Sequence, residues 1–291
     1  MPSPINKTME RADLERPEAR PLIAELDELV RDLDSKGLRV SSWYGGLELA
    51  PAVRRFQALN RGFGYTPLPG AVDDELFPWF LYWEIVWILL NTPFEPGDRV
   101  LDMGGSSSLF SFLLASRGLS VTTVDLNAEL VAHADRVAEA MGWDLRNEVM
   151  DMRVLDFDEP FQRVTSVCVY EHIPASDRVE VNRRVREVMA PGATFSITFD
   201  FLNPSRAARI SSPGDIEEQF VRPSGLAVRG NRDFHDAGER QLLNPFYHPS
   251  AFPRLKVPPI LRREFPATEL LRTKRANDYT FGALFLEKAG D

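Results

Sequence analysis

Apolar and polar positions along the chain change rhythm several times, and the changes mark elements. Residues 1–18 are polar and charged and read as a loose tail. From Pro21, the apolar residues Leu22, Ile23, Leu26, Leu29, Val30 and Leu33 recur at helical period until Gly37. Trp43–Gly46 is a turn, Ala50–Asn60 a weaker helix, and residues 61–70 a loop with three glycines and two prolines. Asp73 or Asp74 then caps a helix running to Leu90, with Pro78 near its start; it is apolar on every side and therefore buried. Beyond it, apolar runs of strand length alternate with helical patterns. The strands are Val100–Met103, Val121–Asp125, Leu145–Met150, Val164–Tyr170 and Ala193–Asp200. The intervening helices are Leu109–Ser116, Ala128–Met141 and Ser176–Met189, the last closed by Pro191-Gly192. Pro213–Val221 reads as a helix, Gly225–Arg229 as a sixth strand and Tyr279–Leu286 as a seventh.

This alternation predicts parallel βαβ units. The expected fold is α/β: a Rossmann-like, doubly wound, mostly parallel seven-stranded sheet with an N-terminal helical extension (residues 1–92) and a C-terminal insertion. The main domain is residues 93–291, with the insertion at about 231–278, where prolines, aromatics and arginines follow no period.

The stretch Pro96–Phe110 concentrates the candidate chemistry. A short strand ends in Asp102, and Gly104, Gly105 and Ser106–Ser108 follow with little or no side chain before the next helix. Such a loop lets backbone N–H groups approach a ligand at the electropositive start of a helix. Neither the dinucleotide fingerprint G-x-G-x-x-G nor the phosphate loop G-x-x-x-x-G-K-[ST] is present. A second strand ends in Asp125, roughly 20 residues on, the interval expected of a ribose-binding carboxylate. A helix N-cap is the plain structural alternative for Asp125.

Composition narrows the partners. Of 291 residues, 44% are hydrophobic and 26% charged, an ordinary globular profile. The net charge of −9, without a basic block, argues against nucleic acid and for a small-molecule substrate. One cysteine, Cys168, excludes an intrachain disulfide and a multi-cysteine zinc site; in an apolar strand it reads as a buried, inert thiol. The first 20 residues lack an apolar signal core, and Phe77–Leu90, interrupted by Glu84, is too short to span a bilayer. A cytoplasmic protein that does not enter a membrane is expected, with homo-oligomer formation left open.

Val100-Leu-Asp-Met-Gly-Gly-Ser-Ser-Ser108 resembles the first motif of the class I S-adenosylmethionine-dependent methyltransferases, V-L-D-x-G-x-G-x-G, with serines at 106 and 108 where the family usually has glycine. The likeness covers about residues 96–200. It implies S-adenosyl-L-methionine as cofactor, held by Asp102, Gly104, Gly105, Ser106, Asp125, Leu126, Asp151, Met152 and Tyr170. Asp102 would fix the loop and reach the methionine amino group, Asp125 the ribose, Asp151 the adenine amino group, and Met152 the ring. A solvated turn is the alternative for Asp151.

Tyr170-Glu-His-Ile-Pro174 resembles the V-L-E-H-V run of small-molecule methyltransferases. It makes Glu171 and His172 the catalytic candidates. An imidazole, whose ordinary pKa is about 6.5, suits a base at neutral pH; packing beneath the sheet edge is the alternative. His235 and His248, with Asp233, Asp236 and Tyr247, lack metal-ligand spacing, so no metal is expected. His133, in mid-helix, reads as a surface residue. The resulting expectation is methyl transfer to a small molecule. The rivals are a non-catalytic cofactor-binding scaffold, a nicotinamide-dependent oxidoreductase or an aminopropyl transferase.

Overall fold

The structure is a computed structural model that describes residues 4–43, 45–48, 68, 72, 76–203, 209–240 and 280–290. The expected helix Ala50–Asn60, nearly all of the 61–70 loop, the Asp73 and Asp74 caps, and Tyr247 and His248 lie outside these residues.

Among the described residues, eight strands form one sheet in the order β1-β8-β6-β5-β2-β3-β4, with β7 also pairing to β8. They are β1 (Lys7–Thr8), β2 (Arg99–Met103), β3 (Ser120–Asp125), β4 (Leu145–Val149), β5 (Phe161–Val167), β6 (Met189–Phe201), β7 (Ala227–Val228) and β8 (Thr280–Glu287). β2 to β6 are mutually parallel, whereas β8 runs antiparallel to β6. The sheet grows outward from β2 in both directions, so ligand space opens at the carboxyl ends of β2 and its neighbours β3 and β5. The mostly parallel, doubly wound sheet expected from the alternation is present, with one strand more than expected.

The helices are α1 (Ala19–Ser35), α2 (Trp79–Asn91), α3 (Leu109–Ser116), α4 (Ala128–Met141) and α5 (Ala175–Val188). A further helical stretch runs from Pro213 to Ser224, with a π turn at Glu217–Val221. Ser108 and Asn127 cap α3 and α4 by accepting backbone N–H bonds, and Gly142 in the left-handed region ends α4. α2 begins at Trp79, because Pro78 holds the extended conformation of an N-cap. Its residues Trp79–Ile88 are all buried, as its unbroken apolar pattern requires. None of the described helices is long and apolar enough to cross a membrane.

Three expectations need correction. Residues 5–15 are no tail. Lys7 and Thr8 pair with Ala283 and Gly282 of β8, and Asn6 is wholly buried. Asn6 Nδ2 donates to the carbonyls of Arg229 and Asn231 (2.7 Å each), and Asn6 Oδ1 accepts from Phe285 N (2.8 Å). Lys7 Nζ pairs with Asp13, which also accepts from Trp83 Nε1 at 2.9 Å. A polar sequence therefore acts as an edge strand whose polar groups are satisfied by distant residues. Second, β5 spans Phe161–Val167, so it ends three residues before the expected Tyr170. Third, His133 is 9% exposed and faces the loop after β2.

Replacing Asn6 by Ala should strand one N–H and two carbonyls in the interior. The expected loss is about 2–4 kcal/mol, read as a lower urea midpoint at unchanged m-value; an unshifted midpoint would show the segment to be peripheral.

Candidate functional site

The site is built on the end of β2. Asp102 is 1% exposed, and its Oδ1 accepts from Thr165 Oγ1 of β5 at 2.9 Å. Its Oδ2 has no hydrogen-bond partner. Burial pushes the carboxyl up to about 7, although the Thr165 bond works against the shift. Gly105 explains how the chain tolerates this group: a Cβ at 105 would lie 1.8 Å from Asp102 Oδ2. Gly104 has φ +76°, and a Cβ there would meet Val169 at 2.6 Å. Gly105 is therefore dictated by the carboxylate, and Gly104 by its left-handed backbone and the packing of Val169.

The serines that stand in place of glycine each have a structural partner. Ser106 Oγ meets Thr123 Oγ1 at 2.7 Å; Thr123 donates to Asn147 Oδ1 (2.7 Å), and Asn147 Nδ2 donates to Asp135 (2.9 Å). Because the Thr123 proton is committed, Ser106 is the donor, and the loop is tied across β3 and β4 to α4. Ser107, at φ +63°, places its Oγ 2.8 Å from both the Leu130 carbonyl and His133 Nδ1. The carbonyl only accepts, so Ser107 donates to it and Nδ1–H of His133 donates to Ser107. Burial, followed by Arg136 and Arg39, lowers the His133 pKa and favours this neutral form. Ser108 is the cap of α3, accepting from Ser111 N at 3.0 Å. Sequence reasoning missed His133 because nothing local signals its contact with the preceding loop.

A cavity of about 400 Å³ opens above this loop. Asp102, Gly104, Gly105, Ser106 and Asp125 line it, as does His172. Asp125 accepts from Asn127 N at 2.8 Å, while Asn127 itself caps α4, so the acid is left at the cavity rather than spent on the helix. Desolvation raises the Asp125 pKa against two backbone hydrogen bonds. The roof comes from the N-terminal extension: Ser41, Ser42 and Trp43, with Leu81 and Ile85 of α2. Ser41 N donates to the Ser107 carbonyl at 2.8 Å, joining the roof to the loop.

Other expected site residues lie elsewhere. Tyr170 is fully buried, packed against Phe195 and Phe220 with its hydroxyl 3.3 Å from Asn182 Oδ1, and is not in the cavity wall. The early end of β5 turns residues 170–172 into a 3-10 turn that sends Tyr170 into the core. Glu171 is also buried behind the wall. Leu126 is 73% exposed, and Asp151 is held by Arg153, whose guanidinium keeps the carboxyl below its ordinary range. Neither these two nor Met152 lines the cavity. The backbone of His235 is bonded to Asn6 and Thr8, and Asp236 pairs with Arg240. Cys168 is not in a strand: it follows β5 at φ +56°, half-buried, and lines the cavity.

Residues 100–192 match a family model described as a methyltransferase domain. The ubiquinone biosynthesis O-methyltransferase of Xanthomonas campestris pv. campestris is 30% identical over 146 residues, which are 46% of this chain and 60% of the relative. This chain thus spans about 60% of that relative's length. A phosphatidylethanolamine N-methyltransferase of Cereibacter sphaeroides is 37% identical over 86 residues, 28% of this chain and 42% of that protein. Two solved structures share the fold at low identity. The cyclase SpnF has TM-score 0.54 and 18% identity, covering 71% of this chain and 81% of SpnF. The cyclopropane synthase MmaA2 from Mycobacterium tuberculosis has TM-score 0.51 and 17% identity, covering 72% and 84%.

The raised Asp102 pKa has a consequence for stability. An acid with its folded pKa near 7, against 3.8 ordinarily, binds more protons folded than unfolded. Stability of the ligand-free protein therefore falls as pH rises from about 4 through 7. Asp102→Asn should remove this dependence. The variant should match wild type below pH ~4 and exceed it by on the order of 4 kcal/mol above pH ~7. Thermal melts across that range test it, and a pH-independent difference would count against a buried, neutral Asp102.

Proposed function

We propose that the chain, whose residues 100–192 match a methyltransferase-domain model, is a class I S-adenosylmethionine-dependent methyltransferase and that it methylates a small-molecule acceptor with S-adenosylmethionine. The observation that carries this reading is the pair of carboxylates at the adjacent ends of β2 and β3, Asp102 and Asp125, lining one cavity beside a loop whose Gly104 and Gly105 have no room for side chains. The orphan Asp102 Oδ2 suits an ammonium group, which would satisfy a buried acceptor that the protein leaves unbonded. The Asp125 carboxylate suits the hydroxyls of a ribose. Leu126, Asp151 and Met152, at the ends of β3 and β4, form the surface proposed for the adenine; Asp151 would have to give up part of its Arg153 pairing. When bound, the cofactor supplies an electrophilic methyl group on a sulfonium sulfur.

This chain's own residues then position the acceptor and manage its proton. His172 lines the cavity and is proposed to take the proton of a hydroxyl or amine acceptor. Glu171 does not reach the cavity wall, so its proposed contribution is indirect. Residues 1–92 are proposed to act as a cap, through Trp43, Leu81 and Ile85, and residues 231–278 as the substrate-side insertion. The acidic chain, with net charge −9, favours a small molecule over nucleic acid, and the single cysteine suits a cytoplasmic setting.

Calorimetry provides the first test. Asp125→Ala should weaken S-adenosylmethionine binding by about 1.5–3 kcal/mol, the range for hydrogen bonds to a charged group. Unchanged affinity in a folded variant, or tighter binding of NADH, would remove the cofactor assignment.

His172→Ala should lower kcat by about 10²–10⁴-fold and leave S-adenosylhomocysteine affinity nearly unchanged. The wild-type rate is expected to rise with pH through the imidazole range, and the variant should lose that rise. A variant within a few-fold of wild type, with the same pH profile, would assign His172 a packing role and point to an acceptor atom that needs no base.

A further inference from the structure

Cys168 of the cavity wall fronts a group of buried carboxylates to which the proposed cofactor binding assigns no contact. Glu84 interrupts the apolar run of α2. It is wholly buried, and neither of its carboxylate oxygens has a hydrogen-bond partner. It faces Cys168 and Thr198, with Glu171 and Asp200 close enough to raise its pKa further, after burial itself. Cys168 Sγ and the carboxylate oxygens of Glu171 and Asp200 lie within 4.8 Å of one another. Glu171 is 4% exposed and Asp200 1%. Four separate elements meet here: α2, the left-handed residue after β5, the 3-10 turn that follows it, and the end of β6.

The cluster is held in shape. Cys168 N donates to both the carbonyl and the hydroxyl of Thr198, at 3.2 and 3.1 Å. Asn203 Nδ2 donates to Asp200 Oδ2 at 2.6 Å. A non-glycine residue at φ +56° is sterically costly, and such strain persists where the surroundings over-determine it. The charged groups acting on Glu84 and Cys168 are themselves carboxylates. Buried carboxylates gathered in this way are stable when protonated or when a cation joins them.

We propose that Cys168, Glu171 and Asp200, with Glu84 as a third carboxylate, form a binding site for a divalent cation of the zinc type. The donor set selects that class. A thiolate is a poor ligand for magnesium or calcium, and carboxylates are poor ligands for copper(I), whereas zinc accepts both, at about 2.3 Å for sulfur and 2.0–2.2 Å for oxygen. The observed spread asks only for a slight contraction around an ion of that size. As the sulfur–metal bond forms, the Cys168 S–H proton passes to solvent. Cys168 and Asn203 also line the cavity beside His172, so the ion belongs to the same wall as the proposed base. No ligand spacing betrays this site in the sequence, because its members stand at positions 84, 168, 171 and 200.

The test uses the untagged full chain, stripped with a chelator and without S-adenosylmethionine, so it is independent of the cofactor reading. Titration with Zn²⁺ should give one equivalent bound and a raised melting temperature. Titration with Co²⁺ should give a thiolate-to-cobalt charge-transfer band. Cys168→Ser should abolish the band, and Asp200→Asn should weaken Zn²⁺ binding at least ten-fold; Glu84→Gln provides the same comparison if Asp200→Asn fails to fold. Absence of stoichiometric binding, or binding that Cys168→Ser and Glu84→Gln leave unchanged, would overturn the site. The cluster would then be one of carboxylates that share protons.

Discussion

One buried carboxylate sets the terms for the rest of this structure. Asp102 lies at the carboxyl end of the central strand, with Thr165 on one oxygen and nothing on the other. Burying an acid without a partner is unfavourable, and the protein responds by keeping it near neutrality in the ligand-free state. Its presence dictates Gly105, since any Cβ there would overlap the carboxylate, and thereby dictates a turn tight enough to start α3 immediately afterwards. The site is thus preorganised at a cost that a bound cation would relieve.

Around that centre, the loop is immobilised from three directions rather than by its own sequence. Ser106 is tied through Thr123 and Asn147 to Asp135 on α4, Ser107 is held by Leu130 and His133, and Ser41 reaches across from the N-terminal extension. Serine in place of glycine gives up backbone freedom and gains hydroxyls that lock the loop. The cavity is therefore shaped jointly by the doubly wound sheet and the helices that precede it, with α2 supplying both its apolar roof and, through Glu84, the one acid buried in that helix.

The N-terminal residues show how a polar segment becomes part of a core. Asn6 satisfies three backbone groups from two distant stretches, and Lys7, though 1% exposed, is neutralised by Glu10 and Asp13. Each polar atom is buried only because a partner from another part of the chain meets it there.

What the sequence by itself determined is local or periodic. The alternation of strand and helix, the loop of small residues after Asp102, the acid ending β3 and the limits of α3 and α4 are all legible, because hydrophobic period and turn chemistry act over a few residues. Tertiary structure alone decided the rest. It turned Tyr170 inward because β5 ends early, brought His133 to the loop, made Lys7 and Thr8 an edge strand of the sheet, and gathered Glu84, Cys168, Glu171 and Asp200. The physical reason is the same in every case. These residues are partnered across long stretches of chain, so their burial and charge follow from which strands and helices become neighbours, and no local pattern encodes that choice.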